Sequence, residues 1–254
     1  MTEPADNKEV FRPLTEEHFH FNCYPEIACF TKCCAKLRLI LTPYDILRIK
    51  NRLGISSSKF LDLYTDTLFE EGLRFPLVRL KMTPDEQGRC PFVTEKGCTI
   101  YEDRPGACRL YPIGRASTFP GGGNKTREKF FIVTESHCLG FKEEKVWTID
   151  QWLTHEGVDH YNAMNDPWVK IVTSSKPLGT GKELTQKLKM FFMASYNLDR
   201  FRTFLFQSPF FERFKVDSEV KEMLAHDDVA LMHFGFDWLR FSLFGEETMT
   251  LAAP

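Results

Sequence analysis

The chain has 254 residues, of which 43% are hydrophobic and 27% charged, and its formal net charge at pH 7 is -2. That composition supports a packed core and excludes wholesale disorder, and the near-neutral charge excludes a generally basic nucleic-acid binder. No stretch approaches the ~18 uncharged apolar residues of a membrane-spanning helix. The polar start Met1–Val10 carries no signal-peptide segment, so the expected location is the cytoplasm.

Residues 1–20 read as a polar arm. Within it, His18 and His20 flank Phe19 and would face the same side of an extended strand. Leu37–Leu41 reads as a strand. A helix follows, with Thr42 as N-cap, Pro43 at its first position, Asp45 completing a capping box and Gly54 as C-cap. Ile46, Leu47, Ile49 and Leu53 form its apolar face. Ser56–Ser58 offer N-caps for a second, short helix. Leu77–Met82 is predicted as a strand, and Asp85–Gly88 as the turn that delivers Cys90. Arg109–Arg115 and Arg127–Thr134 are expected to pair as strands around a Gly121–Asn124 loop tip.

After about residue 145 the composition shifts. Half of the 24 Phe and six of the eight Met fall in the last 110 residues. Leu184, Leu188, Phe191 and Phe192 share helical spacing, as do Leu198, Phe201, Phe204 and Leu205, and again Val229, Met232, Phe236 and Leu239. An aromatic-cored helical region is therefore expected. Leu178-Gly-Thr-Gly-Lys182 lacks the first glycine and the Ser/Thr of a phosphate loop and is set aside. His155 and His160, five residues apart, do not share a helix face as paired ligands four apart do.

Cysteine carries the chemistry. The eight residues Cys23, Cys29, Cys33, Cys34, Cys90, Cys98, Cys108 and Cys138 all lie in the first 138 positions. In a reducing compartment such clustering favours metal over disulfides, and short spacings near Pro and Gly turns let sulfurs converge. In an extended segment the adjacent Cys33 and Cys34 would point to opposite faces, which favours separate roles and two four-cysteine sites. Four thiolates leave a net charge of -2 around either zinc(II) or an oxidised 4Fe–4S cluster. Arg104 and Arg109, close to the cysteines, are expected to offset it and hydrogen-bond the sulfurs. His137 beside Cys138 reads as a neighbour rather than a ligand, since eight cysteines already suffice for two sites. Ligand type does not separate zinc from iron–sulfur.

Cys29-x3-Cys33-Cys34, the Thr42-Pro-Tyr-Asp-Ile-Leu-Arg48 signature and the run Gly97-Cys-Thr-Ile-Tyr-Glu-Asp-Arg-Pro-Gly-Ala-Cys-Arg-Leu-Tyr-Pro112 closely resemble the YkgJ-type cysteine-cluster family over roughly residues 20–140. The family is bacterial and is described as a zinc- or iron-chelating domain with eight cysteines. Its first cysteines follow a Cys-x2-Cys-x2-Cys-Cys pattern, whereas here the gaps are five and three, a departure that falls on Cys23. The domain also occurs in flagellin lysine-N-methylases, where it is linked to an iron–sulfur cluster. The resemblance thus implies a metal ion or cluster as partner, and offers methyl transfer as an alternative to simple metal binding. The sequence has no Gly-rich loop after a strand that would mark an S-adenosylmethionine site of the Rossmann type. A protein partner for the helical region is the remaining expectation.

The expected fold is α+β. A polar arm (1–20) precedes a cysteine-cluster metal-binding domain with short strands (21–145), covered by a helical, aromatic-rich C-terminal region (146–254).

Overall fold

The computed structural model describes residues 11–14, 17–69, 72–118 and 127–252. The expected Gly121–Asn124 loop tip lies outside them. The fold is α+β, with short strands in small sheets in the N-terminal half and a mostly helical C-terminal region. In chain order the first elements are β1 (Phe11–Pro13), β2 (His18–His20), β3 (Ile40–Leu41), α1 (Pro43–Leu53), α2 (Ser57–Tyr64), β4 (Thr65–Leu68) and β5 (Leu77–Leu80). Then come β6 (Val93–Thr94), β7 (Gly97–Cys98), α3 (Gly106–Leu110), β8 (Ile113–Thr118), β9 (Arg127–Val133) and β10 (Val146–Thr148). The chain ends with α4 (Ile149–His155), α5 (Val158–Val172), α6 (Gly181–Tyr196), α7 (Leu198–Gln207), α8 (Phe210–Arg213), α9 (Ser218–His226) and α10 (Asp228–Phe244).

These elements form two compact units, and the division is discontinuous. The first unit holds Met1–Leu39 and Lys81–Ala163; the second holds Ile40–Leu80 and Met164–Pro254. Residues 40–80 pack with the C-terminal helices because α1 and α2 present apolar faces that only a helical partner can bury.

In the first unit the described part of the expected arm is strand. β1 pairs antiparallel with β9, which pairs with β8, and β2 pairs with β10 so that Phe19 opposes Trp147. His18 and His20 are exposed on one face of β2, with Phe19 buried on the other. The core is aromatic: Phe19, Phe21, Ile113, Trp147 and Trp152 are buried together. Phe21 and Trp147 meet Trp152 edge-on, at centroid distances of 5.5 and 5.2 Å. Both indole N–H groups are satisfied, Trp147 donating to Phe21 O at 2.9 Å and Trp152 to Leu110 O at 3.0 Å. That is what allows tryptophan to be buried at low cost.

In the second unit, α1 carries the anticipated Thr42–Asp45 capping box, Pro43 at its start and Gly54 in the left-handed conformation at its end. α2 is capped by Ser56, and β3, β5 and β4 form a small antiparallel sheet. Phe60, Phe191, Tyr196, Phe201 and Phe236 are fully buried in its core.

Three local expectations shift. The strand expected over Leu37–Leu41 is confined to Ile40–Leu41, because Lys36 turns the chain at φ 55. Arg109 and Leu110 belong to α3 rather than to a strand, since Pro105 presets helical entry, and β8 starts after Pro112. Cys33 and Cys34 lie in a 3-10 turn (Lys32–Cys34), not in an extended segment. Among the described residues no helix is long and apolar enough to cross a membrane.

Candidate metal centre

The cysteines belong to the first unit and are brought together by backbone hydrogen bonds between distant segments. Phe21 N–H donates to Lys145 O at 2.9 Å, and Asn22 N–H to Gly140 O at 3.1 Å. These bonds lay the segment carrying Cys23 along the segment carrying Cys138. Cys29, buried, is tied to the same place: the backbone N–H of Leu139 donates to its sulfur at 3.3 Å. Gly140 makes the approach possible. A Cβ there would stand 2.7 Å from the Phe21 ring and 2.8 Å from Asn22 O, so no larger residue fits without moving the strand.

Cys33 and Cys34 follow in their tight turn, where successive side chains diverge by about 120°. The turn is bracketed by two non-glycine residues in the left-handed region, Thr31 at φ 63 and Lys36 at φ 55. For a β-branched threonine that conformation is a true outlier, and such strain persists only where the surroundings enforce it. The enforcement comes from the segment around Cys90. Lys36 N–H donates to Gly88 O at 2.7 Å, Cys90 N–H donates to Cys34 O at 2.8 Å, and Arg89 reaches the Thr31 hydroxyl at 3.3 Å. The Asp85–Gly88 turn that delivers Cys90 is formed, with Gly88 N–H bonded to Asp85 O at 3.1 Å. Beyond Cys90, the β6–β7 hairpin presents Cys98, and α3 carries Cys108.

The electrostatics divide the thiols. Burial first, then the charges of Cys33, Cys29 and Cys138, push the Cys23 thiol up to about 11. Cys138 is raised by burial, with Cys29 and Cys33 adding to it, while the Tyr111 hydroxyl and the Gly140 N–H work in the opposite direction. Cys33 is raised by a hydrogen bond with Cys34, then by burial, then by the charges of Cys34 and Glu135. Cys23, Cys29, Cys33 and Cys138 are therefore mutual neighbours. Cys90 and Cys98 form another set: Cys90 is raised by burial and by Cys98, and Cys98 by burial against the opposing charge of Arg104. No two of the eight cysteines are joined in a disulfide.

The two arginines expected to bond sulfur have other partners. Arg104, buried, pairs with Glu156, donates to Tyr101 O at 2.6 Å and lies 3.7 Å over the Tyr101 ring. It reaches the cluster only as a charge near Cys98. Arg109 donates to the backbone oxygens of Glu102 and Glu156 and stacks on Tyr161 at 4.6 Å. Both arginines tie α3 and its approach to the start of α5, and so hold Cys108 and Cys98 in place. His137 Nε2 lies 3.4 Å from Glu135 Oε2. Glu135 and Tyr111 stand among the sulfurs and were not anticipated. Their sequence signals are slight: an acid three residues before Cys138, and an aromatic between Cys108 and a proline.

Four neighbouring thiols, two of them, Cys23 and Cys138, held in the neutral form by burial and by the sulfurs around them, are a chemical match for a thiophilic cation, which binds thiolate directly. As they stand, no three His, Cys, Asp or Glu side chains among the described residues are arranged to hold a metal ion. The donor set fits such an ion by its chemistry and by its placement in the fold, while the sulfurs are not drawn in to ligand positions.

Comparison with known proteins agrees over the same stretch. Residues 22–139 match the family model described as "CxxCxxCC: Putative zinc- or iron-chelating domain". This is the family that the cysteine motifs resemble. No curated protein and no solved structure matches the chain.

Proposed function

From the zinc- or iron-chelating domain that residues 22–139 match, we propose that this protein holds metal through two sets of cysteine thiolates in its first unit. Cys23, Cys29, Cys33 and Cys138 form the first set. Cys34, Cys90, Cys98 and Cys108 form the second. The observation that carries the reading is the convergence of the Cys23–Cys33 segment with Cys138, tied by the Asn22–Gly140 and Leu139–Cys29 hydrogen bonds, with Cys33 acting on both Cys23 and Cys138. Cys34 belongs with Cys90 because their backbones are bonded to each other. Cys98 follows from its charge coupling to Cys90.

The metal is zinc or iron, the latter as a 4Fe–4S cluster. A closed four-thiolate zinc site leaves no open position, so zinc here stabilises the fold. A cluster bound by the same thiolates transfers electrons. In either case the chain's own residues supply the sulfurs, the N–H of Leu139 at Cys29 and the positive charge of Arg104 near Cys98. The location is cytoplasmic, where thiols stay reduced.

The test is to purify the protein without oxygen and measure zinc, iron and acid-labile sulfide, with the visible spectrum. Iron and sulfide in comparable amounts with a band near ~400 nm identify a cluster. A colourless protein with stoichiometric zinc identifies closed sites. Neither metal after anaerobic reconstitution overturns the proposal.

A further inference from the structure

The Tyr111 ring is packed edge-on against Phe21, with centroids 6.0 Å apart, in the aromatic core that also receives Leu110, Phe141 and Cys138. Its hydroxyl oxygen is shielded from solvent and has no hydrogen-bond partner of ordinary geometry. A buried phenol without a partner is unusual, because an O–H taken out of water and left unpaired costs on the order of 1–3 kcal/mol. Phenylalanine would fill the same space without that cost. Cys138 packs on the same aromatic core and interacts with this hydroxyl, and its sulfur is a poor acceptor as a neutral thiol and a good one as a metal-bound thiolate.

We propose that Tyr111 is a positioning residue of the metal centre: when Cys138 binds metal as a thiolate, the Tyr111 O–H donates a hydrogen bond to its sulfur. This inference rests on the proposed metal site and adds to it a group that is not itself a ligand. Such a donor draws electron density from the sulfur. It strengthens retention of the metal, shifts thiolate-to-metal charge transfer and, if the centre is an iron–sulfur cluster, raises its potential. Glu135, whose charge acts on both Tyr111 and Cys33, keeps its Oε2 buried beside His137 Nε2 at 3.4 Å.

The experiment compares the anaerobically purified full chain with Tyr111→Phe and Cys138→Ser. Each is loaded with the metal that the wild type holds, or with Co(II) if that metal is zinc. Chelator competition and the charge-transfer spectrum are then recorded, and metal-free melting confirms equal folding. Tyr111→Phe is expected to lose metal at about 10- to 100-fold lower chelator concentration, the usual effect of removing a partner of a metal ligand, and to move the charge-transfer band. Tyr111→3-fluorotyrosine keeps the shape and donates more strongly. It should move the band the other way and retain metal at least as well, which also provides a test if the phenylalanine variant does not fold. A wild type that binds metal, with neither variant changing retention or spectrum, overturns the role of Tyr111 and leaves the metal site standing. A wild type that takes up neither zinc, iron nor Co(II) overturns both.

Discussion

Ser57 and Asp199 cap each other's helices. Asp199 Oδ2 accepts from the backbone N–H of Ser57 at 2.5 Å and from its hydroxyl at 2.6 Å, while Ser57 Oγ accepts from the Asp199 N–H at 3.0 Å. One residue pair thus satisfies backbone donors in the first turns of both α2 and α7, and places a carboxylate at the positive end of α2. Ser57 is fully buried, so no water replaces a lost partner. Asp199→Ala is expected to destabilise the second unit by about 1–3 kcal/mol, and Asp199→Asn by less. Thermal melting of the three proteins checks this; equal midpoints would refute it.

Acid should unfold the second unit through a different group. Lys50 reaches Asp228 at 2.6 Å and Arg202 reaches it at 2.5 Å, with the lysine 7% and the aspartate 17% exposed. Burial alone would push Asp228 up, but the hydrogen bonds from Arg202 and Lys50 and their charges outweigh it and hold the carboxyl below its ordinary range. A carboxyl depressed in the folded state binds its proton more weakly there than in the unfolded chain. Its stabilisation is therefore full above its unfolded value, about 4, and is lost as pH falls through the lower folded value. Asp228→Ala should cost about 3 kcal/mol near neutral pH, because it strands two cations. The difference from wild type should shrink below pH 4. Denaturant melts of both proteins across pH 2–7 give the comparison, and a constant gap would count against this network.

Much of the second unit was legible in sequence because local rules decided it. Thr42, Pro43, Asp45 and Gly54 delimit α1 through contacts within a few residues, and the spacing of Leu198, Phe201 and Leu205 marks the buried face of α7. The eight cysteines were equally legible as candidates. What sequence could not give was long-range. The left-handed Thr31 violates its own residue preference and exists only because Arg89, Gly88 and Cys90 clasp the turn from 58 residues away. Arg104 and Arg109 also reach Glu156 and Tyr161, about 50 residues further along the chain, and sequence proximity to Cys108 carries no sign of those contacts. That the segment carrying Cys23 lies along the one carrying Cys138 depends on β2 meeting β10, two three-residue strands with almost no local signal.

Thr31 offers a test of that strain. Its left-handed backbone costs about 1–3 kcal/mol that glycine would not incur. Thr31→Gly also gives up the 3.3 Å contact with Arg89, an exchange of a weak hydrogen bond for relief of strain. The metal-free variant is expected to melt above wild type by about 1 kcal/mol at most, since glycine adds freedom to the unfolded chain. A lower melting point would show that the threonine is held by contacts worth more than the strain.

Gly235 marks where α10 and α6 come close enough to exclude any side chain. A Cβ there would stand 2.9 Å from Ala194 O and 3.1 Å from the Phe201 ring. The carbonyl belongs to helix backbone and cannot turn aside, so Gly235→Ala must push α10 outward and loosen Phe236 and Leu239, both fully buried. Alanine favours helix by up to about 1 kcal/mol over glycine, and overpacking in a close-packed core costs about 1–3 kcal/mol, so the net effect should be destabilising. Calorimetry of the variant checks the sign; a raised midpoint would mean the helices separate without penalty.

Metal loss should act on the first unit alone. Its aromatic core is small, built around Phe19, Phe21, Trp147 and Trp152, and the segments bearing Cys23, Cys29 and Cys138 are joined by only a few backbone hydrogen bonds. Metal bound by those sulfurs cross-links these segments, and its binding free energy adds to folding of that unit. Cys29→Ser should remove one metal equivalent and lower the melting of the first unit. The second unit, whose core is built from Phe60, Phe191, Phe201 and Phe236, should melt unchanged. Cys90→Ser should remove the other equivalent and leave the first in place. Metal analysis of the two single variants and the double variant settles the division: retention of both equivalents in either single variant, or loss of both, would show that the eight cysteines do not work as two sets of four.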